Sequence, residues 1–467
     1  MTLDAFAAIV GDAHLLRAPG DLARYDVDGR QGGGAALAVL RPGSTAEVSA
    51  LMRAAAAEGI RLVPQGGRTG LVGAGLAKGE VVLSLERLNR APAIDALNRS
   101  AEADAGVALS TLNEAAGRHG LFFPIDLGAD PSIGGMVAAN TGGARLLRYG
   151  DVRRNLLAAE VVLADGQGTI VELGRALWKD NSGLDLKQLW VGGAGSMGVV
   201  TRATLALQPR PAAVVTAMLA LDRPEAAIQL LERLEADFGA MLTAFEGMSY
   251  AALDAAFEHV ARLRNPFAAG VPPYAVLIEL SAGGAFGEDL LEEALAASLT
   301  SFMEGEYASV SDVAIDRRDG LWAIRHAVPE GLRARGRVIG CDIALRRGDV
   351  MRFRVDVAAR LAAAAPMLQL HDFGHIGDGG LHYNLVWPAD VAPFDPVVAE
   401  RARAIVFDAA CNDYGGSFSA EHGIGPVNLH YYARFAPAAE RRLAGGIQGL
   451  IAPQRIGRVD FGMETGR

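Results

Sequence analysis

Several things are scarce in this 467-residue chain, and each scarcity removes a class of function. The two cysteines, Cys341 and Cys411, lie far apart and match no metal or redox spacing. Nothing therefore calls for an oxidising compartment. There is no run of about 18 apolar residues, and Ala-rich segments such as 357–366 are too short for a bilayer, so they read as packed helices. Basic residues are not in excess: the formal net charge is −10, which argues against nucleic acid as the main partner. The opening Met-Thr-Leu-Asp-Ala-Phe has no basic region leading into an apolar core. No signal peptide and no transmembrane segment are expected, and the expected location is cytoplasmic. No G-x-x-x-x-G-K-[ST] pattern occurs, so no ordinary nucleoside triphosphatase is implied.

What is abundant is apolar surface and glycine. The chain is 51% hydrophobic and 21% charged, the balance of a globular protein, and its length predicts two or more domains. The 57 glycines gather in short clusters, which suggests backbone approaching a ligand. Residues 36–41 read as a strand. Ser44 then caps a helix, with Glu47 completing a capping box, and the helix ends at Gly59. A short strand at 61–64 leads into Gln65-Gly66-Gly67-Arg68-Thr69-Gly70-Leu71-Val72-Gly73-Ala74-Gly75. Successive bare N–H groups in such a loop form a nest suited to a pyrophosphate, although a single glycine-rich loop is as often a plain turn. A second glycine-dense stretch runs from Pro124 to Gly150 with almost nothing bulky in it, as though making room for something flat and large.

Gly193-Ala194-Gly195-Ser196-Met197-Gly198 is a formal match to G-x-G-x-x-G. A dinucleotide fingerprint needs a helix after it, whereas Val199-Val200-Thr201-Arg202-Ala203-Thr204-Leu205 alternates like a strand. A Rossmann site is rejected. Pro209-Arg210-Pro211 marks a boundary, beyond which strands (213–221, 242–246, 274–281, 338–345) interleave with helices (224–238, 288–304, 320–335, 349–365). That order predicts an α+β sandwich, an antiparallel sheet with helices on one face. A last helix is expected over 395–411. The domains are expected at 1–210 and 211–430, with a tail, 431–467, returning to the first.

Three of the nine histidines lie in His371-Asp372-Phe373-Gly374-His375-Ile376-Gly377-Asp378-Gly379-Gly380-Leu381-His382-Tyr383-Asn384. Its glycines exclude a helix, and the tight turn can bring His375 and His382 together. Ser419-Ala420-Glu421-His422-Gly423-Ile424-Gly425 adds a carboxylate and another imidazole. Two histidines seven apart are more often unrelated residues. The flanking glycines and the second cluster favour a zinc-type site with an open position. His371 is expected to hydrogen-bond locally.

Taken together, the Gly66–Gly75 loop, the Gly128–Gly150 stretch, the Gly374–Gly379 turn with Leu381-His382, and Ser419–Gly425 resemble a known family over nearly the whole chain. It is that of the FAD-dependent D-2-hydroxyacid dehydrogenases of the vanillyl-alcohol-oxidase type, in the D-2-hydroxyglutarate and D-lactate branch. The resemblance implies an FAD-binding domain without a Rossmann fold, plus an α+β substrate (cap) domain. FAD contacts are expected from Pro64, Gly66, Gly67, Arg68, Thr69, Gly70, Leu71 and Gly73. The second stretch is expected to add Asp126, Leu127, Gly128, Ser132, Gly134, Gly135, Ala139, Asn140, Gly142 and Gly143, and the third Gly198 and Val199. The first loop has no histidine, and this domain's N-terminal part has only His14 and His119, so non-covalent FAD is expected.

By the same resemblance His375, His382 and Glu421 bind a divalent metal, zinc first, which polarises the substrate hydroxyl. His422 is implied as general base, with hydride passing to the flavin, Arg325 gripping a substrate carboxylate and Asn384 as a polar site residue. D-2-hydroxyglutarate is the first substrate expected, then D-lactate or D-malate. The electron acceptor is an electron-transfer flavoprotein, a quinone or a cytochrome, and a homodimer is left open. The chain departs from the family at Gly340-Cys341-Asp342, where a Lys that binds a second carboxylate is common, and at Pro329, Gly380, Gly193-Ala194-Gly195 and the 452–458 tail. The alternatives are a metal-independent flavin alcohol oxidase, a non-catalytic FAD subunit of a glycolate-oxidising complex, and a zinc-stabilised structural domain.

Overall fold

The computed structural model describes residues 3–30, 32–304, 309–317, 320–391 and 393–462. The chain forms two compact units, Met1–Gly142 with Gly150–Arg210 and Glu421–Arg467, and Gly143–Tyr149 with Pro211–Ala420. The return to the first unit thus starts at Glu421, ten residues ahead of the boundary expected at 431, and a short piece of the second glycine-dense stretch joins the second unit.

In the first unit the helix Thr45–Glu58 begins where the capping box predicts. Ser44 Oγ accepts from Glu47 N–H at 3.2 Å, and Glu47 reaches back to the Gly43 N–H at 2.8 Å. It ends on Gly59 in the left-handed region. Beside it lies a four-stranded sheet ordered Leu15–Leu16, Ala38–Leu40, Val81–Ser84, Leu62–Gln65, whose last two pairings are parallel. A five-stranded antiparallel sheet is ordered Ala93–Asp95, Ser100–Asp104, Val199–Ala206, Leu156–Val162, Ile170–Gly174. Strand Val199–Ala206 is the one expected after the false dinucleotide motif.

The glycine-dense stretch holds a helix, Ile133–Ala139, that its composition hides. Glycine costs helix stability, but here it permits contact: a Cβ on Gly134 would stand 2.7 Å from the Ala105 Cβ. The C-terminal arm is pinned to this unit by buried polar bonds. Gln448 Nε2 donates to the carbonyls of Ser196 and Val459 at 3.1 and 3.0 Å, and the Gly457 N–H donates to Leu62 O at 2.8 Å.

The second unit is built on an antiparallel sheet ordered Val310–Asp316, Ala213–Leu221, Tyr274–Ala282, Leu242–Ser249, Gln369–Gly374, Gly380–Pro388, Gly336–Ile339. Asp342–Ala344 also pairs with Gly380–Pro388. The strand expected over 338–345 is therefore two strands broken at Gly340-Cys341. Alternate residues Met218, Ala220, Met248, Ala275 and Leu277 form one core with helices Tyr250–His259 and Gly320–Arg335. Every residue of Leu242–Ser249 and Tyr274–Ala282 is buried, so both faces of this part of the sheet are covered, not the single face expected. Helices Ala227–Phe238 and Glu288–Met303 pack on strands of this sheet without joining that core.

The Gly143–Tyr149 segment is tied in by charge. Arg145 makes a two-pronged bond to Glu279 at 2.8 and 2.8 Å, while Thr243 Oγ1 and Trp322 Nε1 supply that carboxylate's other donors. No helix among the described residues is long and apolar enough to cross a membrane.

Candidate active site

In the first unit the glycine-rich loops and the start of the C-terminal arm enclose a cleft of about 370 Å³. Pro64, Gly66, Gly67, Arg68, Thr69, Gly70 and Leu71 line it from the first loop. Leu127, Gly128, Ser132, Gly134, Gly135 and Ala139 line it from the second stretch, and Gly198 and Val199 from the third. Gly73, Asp126, Asn140 and Gly142 were expected there but do not line it, and Gly143 belongs to the second unit. Asn140 is spent on structure: it ends the helix at φ 51°, donates to Asp151 at 2.7 Å and accepts from the Arg153 N–H at 2.9 Å.

The cleft wall depends on missing side chains. A Cβ on Gly66 would meet Ser132 Oγ at 2.3 Å, and one on Gly67 would meet the Ser132 N at 2.9 Å, so only glycine lets the loop run against the next helix. Ser132 Oγ holds both pieces, accepting from the N–H groups of Gly67 (3.0 Å) and Gly135 (3.4 Å). A Cβ on Gly70 or Gly128 would meet no protein atom within 4 Å, so the space beside these two glycines is open. Bare backbone together with Leu71, Leu85, Leu127, Trp190 and Met197 suits a large flat ring with a polar tail.

Trp190, Met197 and the Gly193-Ala194-Gly195 turn were not expected in this wall. The rejected dinucleotide motif serves here as a strand-leading turn, with Ala194, Gly195 and Gly198 all at positive φ. Its signal was present as a glycine cluster before a strand, but only the fold shows which side faces the cleft.

Glu421 and His422 line the same cleft, with the His422 Nε2 at 3.9 Å from Glu421 Oε1. Their loop is held against the first glycine loop. A Cβ on Gly425 would stand 2.2 Å from Val72 O, and Asn428 ties the loop by bonds to Gly425 N–H and Gly423 O at 2.8 and 2.9 Å. Among the described residues His422 is the only histidine in the lining, which holds no cysteine. His14 instead stands 3.1 Å from Arg41 Nη2, away from the cleft.

In the second unit the turn between Gln369–Gly374 and Gly380–Pro388 sets the His375 and His382 rings edge to face, 5.3 Å apart. Antiparallel pairing puts His382 between Phe373 and Asp342, whose Oδ1 is 3.5 Å from the His382 Nδ1. His375 Nδ1 meets Glu246 Oε1 at 2.6 Å, and the other oxygen of Glu246 accepts from Arg325 Nε at 2.7 Å. Arg325 also lies over the Phe373 ring at 4.6 Å. Glu246 is 1% exposed. Burial pushes its carboxyl up, but His375 and Arg325 outweigh that and hold it down at about 2. Asn384 is buried next to this cluster in sequence and donates to His382 O at 3.3 Å. His371 bonds locally, to Gln369 O and near Arg335, and burial lowers its pKa.

Comparison with known proteins agrees with this anatomy. A model described as "FAD binding domain" matches residues 36–174, and one described as "FAD linked oxidases, C-terminal domain" matches 210–456. A protein of Xanthomonas citri pv. viticola named D-2-hydroxyglutarate dehydrogenase is 37% identical over 94% of this chain and 92% of its own length. The chain belongs to the FAD-dependent D-2-hydroxyacid dehydrogenase family.

Within this family, the mitochondrial D-2-hydroxyglutarate dehydrogenase of Rattus norvegicus is 32% identical over 97% of the chain and 83% of its own length. Among solved structures, p-cresol methylhydroxylase with substrate bound superposes with a TM-score of 0.75, covering 99% of this chain and 96% of that one at 14% identity. The 4-ethylphenol oxidase of Gulosibacter chungangensis gives 0.74, covering 97% and 94% at 19% identity. These two establish the fold, that of the vanillyl-alcohol-oxidase-type flavoproteins. As a family member the chain is an oxidoreductase, and FAD is its cofactor.

Proposed function

We propose that this dehydrogenase oxidises a D-2-hydroxy acid to the 2-oxo acid with non-covalent FAD and a divalent metal, D-2-hydroxyglutarate first and D-lactate or D-malate next. The observation that carries the reading is His422 on the wall of the glycine-lined cleft. An imidazole there can accept a hydroxyl proton beside the redox cofactor. Bound FAD supplies the two-electron acceptor that converting C–OH to C=O requires. Its attachment is read as non-covalent because, among the described residues, the lining offers no cysteine and no histidine other than His422.

The metal is assigned to His375, His382 and Glu421, with zinc as the first candidate. The donor set of two imidazoles and a carboxylate suits zinc with an open position. The Glu246 contact to His375 Nδ1 is the outer support that metal-bound histidines have. In the second unit the Ala420 N–H donates to the Asp342 carboxylate at 3.1 Å. A divalent cation held there would supply Lewis acidity for lowering the pKa of a substrate hydroxyl.

Arg325 is assigned to the substrate carboxylate and Asn384 to substrate positioning. The bond to Glu246 uses Nε, so the paired Nη groups take no part in it and present the fork that matches a carboxylate. Gly340 offers no cation for a second carboxylate. The electron acceptor is assigned to the class of electron-transfer flavoproteins, quinones or cytochromes.

Anaerobic flavin bleaching with a panel of D- and L-2-hydroxy acids, before and after chelation, tests all of this. Bleaching by one D-acid, abolished by chelator and restored by zinc, is the expected result. Bleaching that survives chelation removes the metal; no bleaching by any acid removes the proposed reaction.

A further inference from the structure

Neither the sequence patterns nor the resemblance singled out Glu246. It lies within strand Leu242–Ser249, on the alternate set that includes Ala244 and Met248, facing the helix that carries Arg325. Its two oxygens are divided between two partners, Arg325 Nε at 2.7 Å and His375 Nδ1 at 2.6 Å. The next residue, Gly247, fixes the strand's position. A Cβ there would overlap the Tyr274 hydroxyl at 2.1 Å.

We propose that Glu246 is a positioning residue that orients Arg325 for the substrate carboxylate and His375 for the metal through one shared carboxylate. The inference rests on the roles assigned to those two residues above. A guanidinium Nε–H can only donate, so the facing oxygen accepts. With the carboxylate ionised beside a permanent cation, the second oxygen also accepts, which places the imidazole proton on Nδ1. In the neutral imidazole the lone pair of His375 is then on Nε2, the form in which that nitrogen can ligate a cation. A carboxylate buried with two polar partners is costly to assemble for stability alone, and apolar replacements of such clusters often fold as well. Its chemical value is that one rigid anion fixes both a rotamer and a tautomer.

Glu246→Gln separates these effects, because an amide has one acceptor and one donor. If its oxygen serves Arg325, its NH2 faces His375 and forces the proton onto Nε2. If it turns the other way, Arg325 Nε–H meets a donor. On FAD-loaded protein, zinc affinity is measured against a competing chelator, alongside KM and kcat for whichever 2-hydroxy acid reduces the wild type. The expected result is zinc affinity lowered about 10- to 100-fold and a raised KM, with flavin content unchanged. Wild-type zinc affinity together with wild-type KM overturns the inference. Should the Gln variant fail to retain flavin, Glu246→Asp takes its place. One methylene shorter, it cannot span both partners, so displaced zinc affinity or KM supports the role and wild-type values in both overturn it. A wild-type protein that binds no zinc overturns the metal assignment and this inference with it; zinc affinity and KM both equal in wild type and variants overturn this inference alone.

Discussion

Alanine at Gly66 should loosen the cleft wall, and the structure says through which atom. The new methyl carbon would stand 2.3 Å from the Oγ of Ser132, itself buried, while its next neighbours, Gly135 Cα and N, are at an ordinary 3.5 Å. Gly66 is not at positive φ, so the backbone accepts alanine and the whole cost falls on Ser132. That hydroxyl caps helix Ile133–Ala139 and accepts the Gly67 N–H. Overpacking of this kind costs about 1–3 kcal/mol and loss of a serine cap about 0.5–2 kcal/mol, so Gly66→Ala should cost about 2–4 kcal/mol.

Ser132→Ala alone should cost about 0.5–2 kcal/mol, since Gly67 is an exposed residue whose N–H can turn to water. In the double variant the clash has no partner, so its stability should match Ser132→Ala to within about 0.5 kcal/mol. The readout is flavin release on heating, which reports the first unit. There a 2–4 kcal/mol loss lowers Tm by roughly 5–15 °C. If Gly66→Ala costs as much on the Ser132→Ala background as alone, the contact with Ser132 is not the cause and the reasoning fails.

Other expectations are as direct. His422→Ala should keep FAD and slow flavin reduction by at least about 10²-fold; rapid-mixing absorbance decides, and loss of FAD would make the residue structural. Arg145→Ala leaves Glu279, 2% exposed, without its cation, and should cost about 3–5 kcal/mol in thermal or urea unfolding. Burial raises the Glu279 pKa, but Arg145, with Thr243 and Trp322, outweighs it and holds it below the ordinary 4.5. The resulting stability is complete above about pH 4.5 and is lost as pH falls through the lower folded value. The acid arm of the wild-type Tm–pH curve should therefore be steeper than that of Arg145→Ala. Gly331→Ala would place a Cβ 2.5 Å from Ala255 O, where helices Gly320–Arg335 and Tyr250–His259 touch backbone to backbone. It should cost at least about 1–3 kcal/mol. Gly348→Ala, with nothing within 4 Å, should stay within about 0.5 kcal/mol; equal melting of the two variants would refute the contact.

Local rules were readable wherever the physics is local. Ser44 with Glu47 announced a helix start, and β-branched alternation after Gly198 announced a strand in place of a dinucleotide helix. The glycines between His375 and His382 announced a turn tight enough to pair two imidazoles. Reading failed where a neighbour distant in sequence decides. Helix Ile133–Ala139 looked like open loop because its glycines are there for contact with Ala105. Strand 338–345 broke at Gly340-Cys341, and helix Tyr250–His259 and strand Val310–Asp316 carried patterns too short to stand out.

By itself the sequence determined which residues have chemistry to offer: glycines without side chains, two imidazoles across a turn, an acid and an imidazole in a second glycine-flanked loop. These follow from side-chain identity and short-range geometry. Only tertiary structure decided what each one faces. Glu246 is an unremarked acid in an apolar strand until antiparallel pairing sets it between Arg325 and His375, 79 and 129 residues away. Gly193–Gly198 is a false nucleotide motif until the sheet turns it into a wall of the cleft. The reason is physical: a carboxylate's ionisation, an imidazole's tautomer and a glycine's necessity are set by atoms within a few ångströms, and folding alone brings those atoms there.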